Sequence, residues 1–190
     1  AACSKATQMI QFLKSRDAQD TWRDGDDMTA PGAGRTPPAE LQWAIECIVD
    51  SMDAYAVPDL RLRWSNLALQ YPLLDRRADI VTRSHQIFRF LRHEIQLQHA
   101  RQLLFASHAY CHVGRNGTPF LAETAATIEC VMHRPEQLER HCMLFPQFFW
   151  FAAALCQSDA PVVYISGLRL FRAVLPTYTC NDAARHSLQA

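Results

Sequence analysis

Apolar positions recur along this chain at offsets i, i+4, i+7 and i+11. The same frame appears four times: Leu41, Ile45, Ile48, Met52; Ile80, Ser84, Ile87, Leu91; Leu121, Ala125, Ile128, Met132; and Tyr164, Leu168, Phe171, Leu175. Those offsets line one stripe of a helix. The starts are separated by 39, 41 and 43 residues, which leaves room for that helix, a turn and a returning partner helix. This arithmetic predicts an all-α chain, an α-solenoid of HEAT- or armadillo-like helical hairpins with about four units, each burying its apolar face against its neighbours.

Turn chemistry falls where such units need it. Thr36 before Pro37 and Pro38, Asp75 before Arg76, Thr118 before Pro119, and Asp159 with Pro161 each put a side-chain oxygen or a proline at a helix start. Val57-Pro58-Asp59 separates the first frame from a second helix carrying Leu60, Trp64, Leu67 and Tyr71 at the same offsets. His93 to Gln96 is the predicted turn before a helix from Leu97 to His112, and Pro135 to Leu144 precedes a helix that Pro146 starts. Ahead of the frames, residues 1–16 are a stub helix (Ser4 to Ser15). Residues 17–38, with Asp17, Asp20, Asp24, Asp26, Asp27 and a Pro-Gly-Ala-Gly run, read as an acidic flexible linker. Residues 39–190 form the repeat segment. The chain opens at Ala1 and closes at Ala190 inside a helical pattern, which leads us to expect an internal piece of something longer.

Composition supports the helical reading. Six glycines in 190 residues is well under the usual ~7% and argues against a turn-rich β architecture. The strongest apolar run, Phe148 to Cys156, is far shorter than the ~20 residues that cross a bilayer, so a soluble chain is expected. Seven cysteines, an odd number scattered through apolar helical frames, suggest reduced, slowly reacting thiols and a cytoplasmic protein.

Net charge is zero but unevenly spread. Residues 1–59 carry net −5, residues 60–115 net +6 and residues 116–190 net −1, so the middle of the chain is a basic band. Seventeen of the nineteen basic residues are arginine, the side chain suited to bidentate contacts with carboxylate or phosphate, although codon bias of a GC-rich genome is the better account of the overall ratio. Within the band, Arg83 follows Asp79 by one turn as helix support, and Arg61 and Arg63 flank Trp64 over the core. His85, Arg89 and Arg92 differ: on the helical wheel they point away from Ile80, Ile87 and Leu91. They are the candidate partner-binding residues, expected to be exposed. Reversing both arginines to glutamate is expected to change stability by no more than about 0.5 kcal/mol. An acidic protein surface is the first candidate partner. Nucleic acid, bound through the arginine band 61–115, is the alternative, weakened by a pI near 7.2.

Catalytic and metal patterns are poor. Cys111-His112, Cys130-x-x-His133 and His141-Cys142 hold the right atoms for zinc, yet no CxxC pair exists, and His108 with His112 lacks the glutamate of a metalloprotease helix. No phosphate loop, dinucleotide fingerprint or nucleophile elbow occurs. We therefore expect no enzyme, no cofactor and no metal, while a Cys/His metal-binding or catalytic protein stays as the second alternative. The cluster Phe145, Phe148, Phe149, Trp150, Phe151 covers more than one helix face, so it is packed on two sides or is partly a partner site.

The stretch Leu67 to Leu74, the segment Arg83 to Arg89, and above all Phe145-Pro-Gln-Phe-Phe-Trp150 followed by Tyr164 to Phe171 resemble the large cell-morphogenesis proteins of the Furry family. The likeness covers residues 40 to 175. It implies an internal segment of a very long helical-repeat scaffold that supports NDR-type kinases and their Mob adaptors at cytoplasmic sites of polarised growth. The family supplies no catalytic residue to carry over.

Overall fold

The computed structural model of the chain describes residues 39–54, 59–75, 77–111, 117–134 and 144–180, together with Ser4, Thr7, Gln8, Ile10 and Gln11, which are helical. Among these residues every regular element is a helix: α1 (Ala39–Ala54), α2 (Leu60–Leu74), α3 (Ala78–Leu91), α4 (Leu97–Cys111), α5 (Thr118–Met132), α6 (Phe145–Leu155) and α7 (Pro161–Cys180). The acidic segment 17–38, the start at Thr36, Val57-Pro58 and the turn residues 135–143 lie outside the described residues.

Local chemistry sets the helix ends. Before α3, the Asp75 carboxylate accepts from the Arg77 backbone N–H at 3.0 Å and from its guanidinium at 3.1 Å. The backbone bond first, then the side-chain bond and the Arg77 charge, hold this carboxyl below its usual range. Pro119 and Pro146 stand in the first turns of α5 and α6, where a missing N–H has no intrahelical partner to lose. At the start of α7 the Ser158 Oγ accepts from the Ala160 N–H at 3.2 Å. Two turns are made by non-glycine residues in the left-handed region, Asp59 ahead of α2 (φ 54°) and Arg92 after α3 (φ 52°). Arg92 thus takes the place that glycine usually fills after a helix.

The helices pack in two rows. α1, α3, α5 and α7 stack in an inner row, each on the next. In the outer row α2 packs on α1, α3 and α4, α4 packs on α5, and α6 packs on α5 and α7. This alternation is compatible with a helical solenoid. The most extensive pairings between consecutive helices are α2 with α3 and α6 with α7. The tight hairpins therefore run from an outer to an inner helix, across the boundaries that the frame implied. The core follows the inner row, with Val81 and Phe88 of α3, Phe120 and Ile128 of α5, and Leu170 of α7 almost fully enclosed. A second cluster, Leu41, Ile45, Val49 and Leu91, seals α1 against α3, with Trp64 leaning on it from α2.

The predicted frame points inward on three helices and outward on two. Leu41 and Ile45, Ser84 and Leu91, and all four of Leu121, Ala125, Ile128 and Met132 are buried. On α7, however, Tyr164, Leu168 and Leu175 are 43%, 47% and 48% exposed, whereas Val163, Gly167, Leu170 and Val174, the same spacing one residue earlier, face the core. The shift has a steric reason at Gly167, where any Cβ would lie 2.9 Å from both the Cys156 nitrogen and the Leu155 Cβ. Only glycine lets α7 approach the end of α6 this closely. The stripe predicted on α2 fails in the same way. Leu67 and Tyr71 are half-exposed, and Ser65, Ala68, Leu69 and Pro72 are the buried positions.

Candidate functional site

The three residues singled out for partner binding do not share a surface. Arg92 is exposed at the end of α3. Arg89 and His85 are enclosed, 3% and 0% exposed, in the seam between α3 and α5. That placement corrects the expectation of an outward basic pair. Its physical reason is position in the stack: α3 is an inner-row helix, so α5 covers the side that a single-stripe reading assigns to solvent.

Within the seam the Arg89 guanidinium meets α5 through both of its Nη groups. Its Nη2 donates to Glu123 Oε2 at 2.7 Å, and its Nη1 donates to the Glu123 carbonyl at 3.3 Å and to Thr127 Oγ1 at 3.1 Å. Both ion-pair side chains are almost completely buried, at 2% and 1% exposure. Thr127 Oγ1 also lies 2.9 Å from His85 Nδ1, donor and acceptor following the ring's tautomer. Burial first and the Arg89 charge second push the His85 pKa down to about 3, so the ring is neutral at pH 7. The ring stands edge to face with Phe120. A charged pair with no water around it is costly unless geometry is good. Here it links two stacked helices in one register.

A sequence signal for this seam existed. After its first residue, Thr118, α5 is apolar apart from Glu123, Thr124, Thr127 and Glu129, all buried, and Cys130. An acid inside an apolar helix requires a basic partner from a neighbour. The Arg89 that lacks an acid four residues earlier in its own helix is that partner.

The surface carries what the wheel assigned to the core. On the outer row, Leu67, Tyr71 and Leu74 of α2 and Leu97 and Phe105 of α4 are exposed, Leu74 and Phe105 at 81% and 84%. Trp150 of α6 is also exposed, whereas Phe145, Phe148 and Phe151 are buried and Phe149 packs edge to face on Phe171, with ring centres 5.0 Å apart. The aromatic cluster is thus packed on one side and open at one ring.

Of the cysteine and histidine pairs, Cys130 and His133 lie within the described residues and each meets another side chain. His133 Nε2 lies 3.9 Å from Glu129 Oε1, while Arg134 donates to the Cys130 sulfur at 3.5 Å and to the His93 carbonyl at 3.2 Å. Among the described residues, no three of His, Cys, Asp and Glu gather in a way that could hold a metal ion. His112, His141 and Cys142 lie outside the described residues. Cys111, Cys130 and Cys156 are free thiols and Cys47 is buried. Burial pushes the Cys156 thiol above its usual pKa, which favours the less reactive protonated form. Among the described residues no helix is long and apolar enough to cross a membrane. Comparisons with protein-family models, with curated proteins and with solved structures find no match to this chain.

Proposed function

We propose that this chain is a protein-interaction scaffold segment of a larger helical-repeat protein of the HEAT/armadillo type, acting by binding and not by catalysis. The observation that carries the reading is the inner row of stacked helices whose last described member, α7, presents Tyr164, Leu168 and Leu175 outward. These occupy the register that is buried on α5, as a helix does when it receives a further unit. The buried Arg89–Glu123 pair supports the same reading, because it fixes one helix on the next and leaves the outer row to meet partners. The Furry-like segments make an NDR-type kinase with its Mob adaptor the first partner to test, at cytoplasmic sites of polarised growth. Nucleic acid is less favoured, since the band loses Arg89 to the interior.

The test is a direct titration of the purified chain with a purified NDR-type kinase–Mob complex, beside a labelled oligonucleotide at two salt concentrations. Saturable binding of the complex with no salt-sensitive oligonucleotide binding is expected. Oligonucleotide binding that falls steeply with salt, without binding of the complex, would replace this reading by the nucleic-acid one.

A further inference from the structure

We propose that the outer face of α2 and α4 is a docking groove for an acidic amphipathic helix of a partner protein. The inference rests on the scaffold reading and deepens it by naming what the scaffold holds. Three observations carry it.

The first is exposure. Leu67, Leu74 and Phe105, at 51%, 81% and 84%, are side chains that a monomeric surface rarely gathers on two adjoining helices. The second is shape. Leu73 of α2 and Arg101, Gln102, Phe105 and Ala106 of α4 line a shallow cleft of about 400 Å³ between the two helices. The cleft's lining on α4 runs from Arg101 to Ala106, about 8 Å of helix and room for one anchor side chain, and the exposed Leu67 and Leu74 extend the apolar face along α2. A partner helix lays anchors spaced i, i+4, i+7 along such a face.

The third observation is charge. Neither α2 nor α4 contains a single aspartate or glutamate, and their exposed charges are Arg61, Arg63 and Arg101. Arg61 approaches Asp53 only at 3.9 Å. Arg63 and Arg101 have no ion pair among the described residues. Arg63 begins the stripe that continues through Leu67, Gln70 and Leu74, and Arg101 lies one turn from Phe105. The carboxylates nearest in sequence are Asp59 and Asp75 at the two ends of α2, the latter held by Arg77, and Glu94 ahead of α4. An apolar face with Arg101 at its cleft and Arg63 on the stripe of Leu67 and Leu74, on two helices without a carboxylate, selects a ligand with apolar anchors flanked by carboxylates. A phosphate backbone would meet the arginines but leave Leu74 and Phe105 uncovered.

The experiment titrates the whole chain into a fluorescein-labelled helical peptide with leucine at i, i+4, i+7 and i+11 and glutamate on both flanks, read by anisotropy. The expected result is saturable binding that weakens with salt, and that weakens about tenfold or more in Phe105→Ala and in the Arg63→Glu/Arg101→Glu double variant. Arg172→Glu, at an exposed position on α7, should bind like the wild type. Thermal melts of all variants, expected to be unchanged, show that folding is not what was lost. Equal binding of a peptide with lysine flanks, or of one with the leucines scrambled, overturns the proposal, as does full affinity in both groove variants. Phe105-dependent binding to phosphatidylcholine–phosphatidylserine vesicles in place of the peptide overturns it in favour of a membrane. A dimer abolished by Phe105→Ala, with no peptide binding, overturns it in favour of a second copy. If the kinase–Mob complex binds wild type and groove variants alike while the peptide fails, the groove proposal falls and the scaffold reading stands. If neither binds, both fall.

Discussion

The seam between α3 and α5 and the outer face of α2 and α4 invert each other. In the seam, Arg89, His85, Glu123 and Thr127 are polar side chains buried by stacking. On the outer face, Leu67, Tyr71, Leu74 and Phe105 are apolar side chains left in solvent. A helical wheel assumes one buried direction, which holds for a helix covered on one side. In the middle of the inner row α3 is covered nearly all round, so its polar residues must find partners inside. An outer-row helix has spare circumference, and apolar residues stand there in solvent.

The largest expected effect breaks the seam. Arg89→Met leaves the Glu123 carboxylate buried without its main counter-charge, and chemical denaturation should show a loss of about 3–5 kcal/mol. Adding Glu123→Leu should restore most of it, since two matched apolar side chains replace two matched charges. Failure of the second change to rescue the first would mean that the two side chains are not energetically coupled. The expectation that Arg89 and Arg92 could both be reversed without cost is corrected for Arg89, because a new carboxylate would face Glu123.

Acid should weaken the same seam. The folded-state pKa of His85 lies below its unfolded value, so the unfolded chain binds the extra proton as pH falls below about 6.5, and stability is lost from there down toward pH 3. Between pH 6.5 and 5 the loss should be about 2 kcal/mol. The buried His99, whose pKa is also lowered by desolvation, adds in the same direction. Urea midpoints at the two pH values, in wild type and in His85→Gln, measure the His85 share, and identical slopes would remove His85 from the account.

Between the rows, Gly167→Ala gains about 1 kcal/mol of helix propensity but drives a Cβ into Cys156 and Leu155, for a net loss of about 1 kcal/mol. A rise in melting temperature would show that α7 sits farther from α6 than described. The smallest effect belongs to the outer face. Leu74→Ser and Phe105→Ser should each stay within about 0.5 kcal/mol of wild type in thermal unfolding.

Much of the architecture was legible in the sequence. Pro119, Pro146 and Pro161 mark helix starts because proline is tolerated there and almost nowhere else in a helix. The turn at His93 to Gln96 and the frames of α1, α3 and α5 also read correctly in direction. On α2 and α7 apolar residues crowd both sides of the stripe, Leu67 beside Ala68 and Leu69, and Val163 beside Tyr164. Spacing alone cannot choose between registers one residue apart. Tertiary approach decides, and at Gly167 the deciding feature is a missing side chain, which hydrophobic periodicity does not count. The burial of Arg89 and His85 was not legible from α3 alone. It becomes so only when Glu123, a buried acid of the largely apolar α5, is taken as the complementary half.

The inversion is tested most directly by placing the same charge at both sites and comparing Arg89→Glu with Phe105→Glu in one denaturant series. The account predicts that Arg89→Glu loses most of its unfolding midpoint or fails to fold, whereas Phe105→Glu keeps the wild-type midpoint. A stable Arg89→Glu beside an unfolded Phe105→Glu would contradict it.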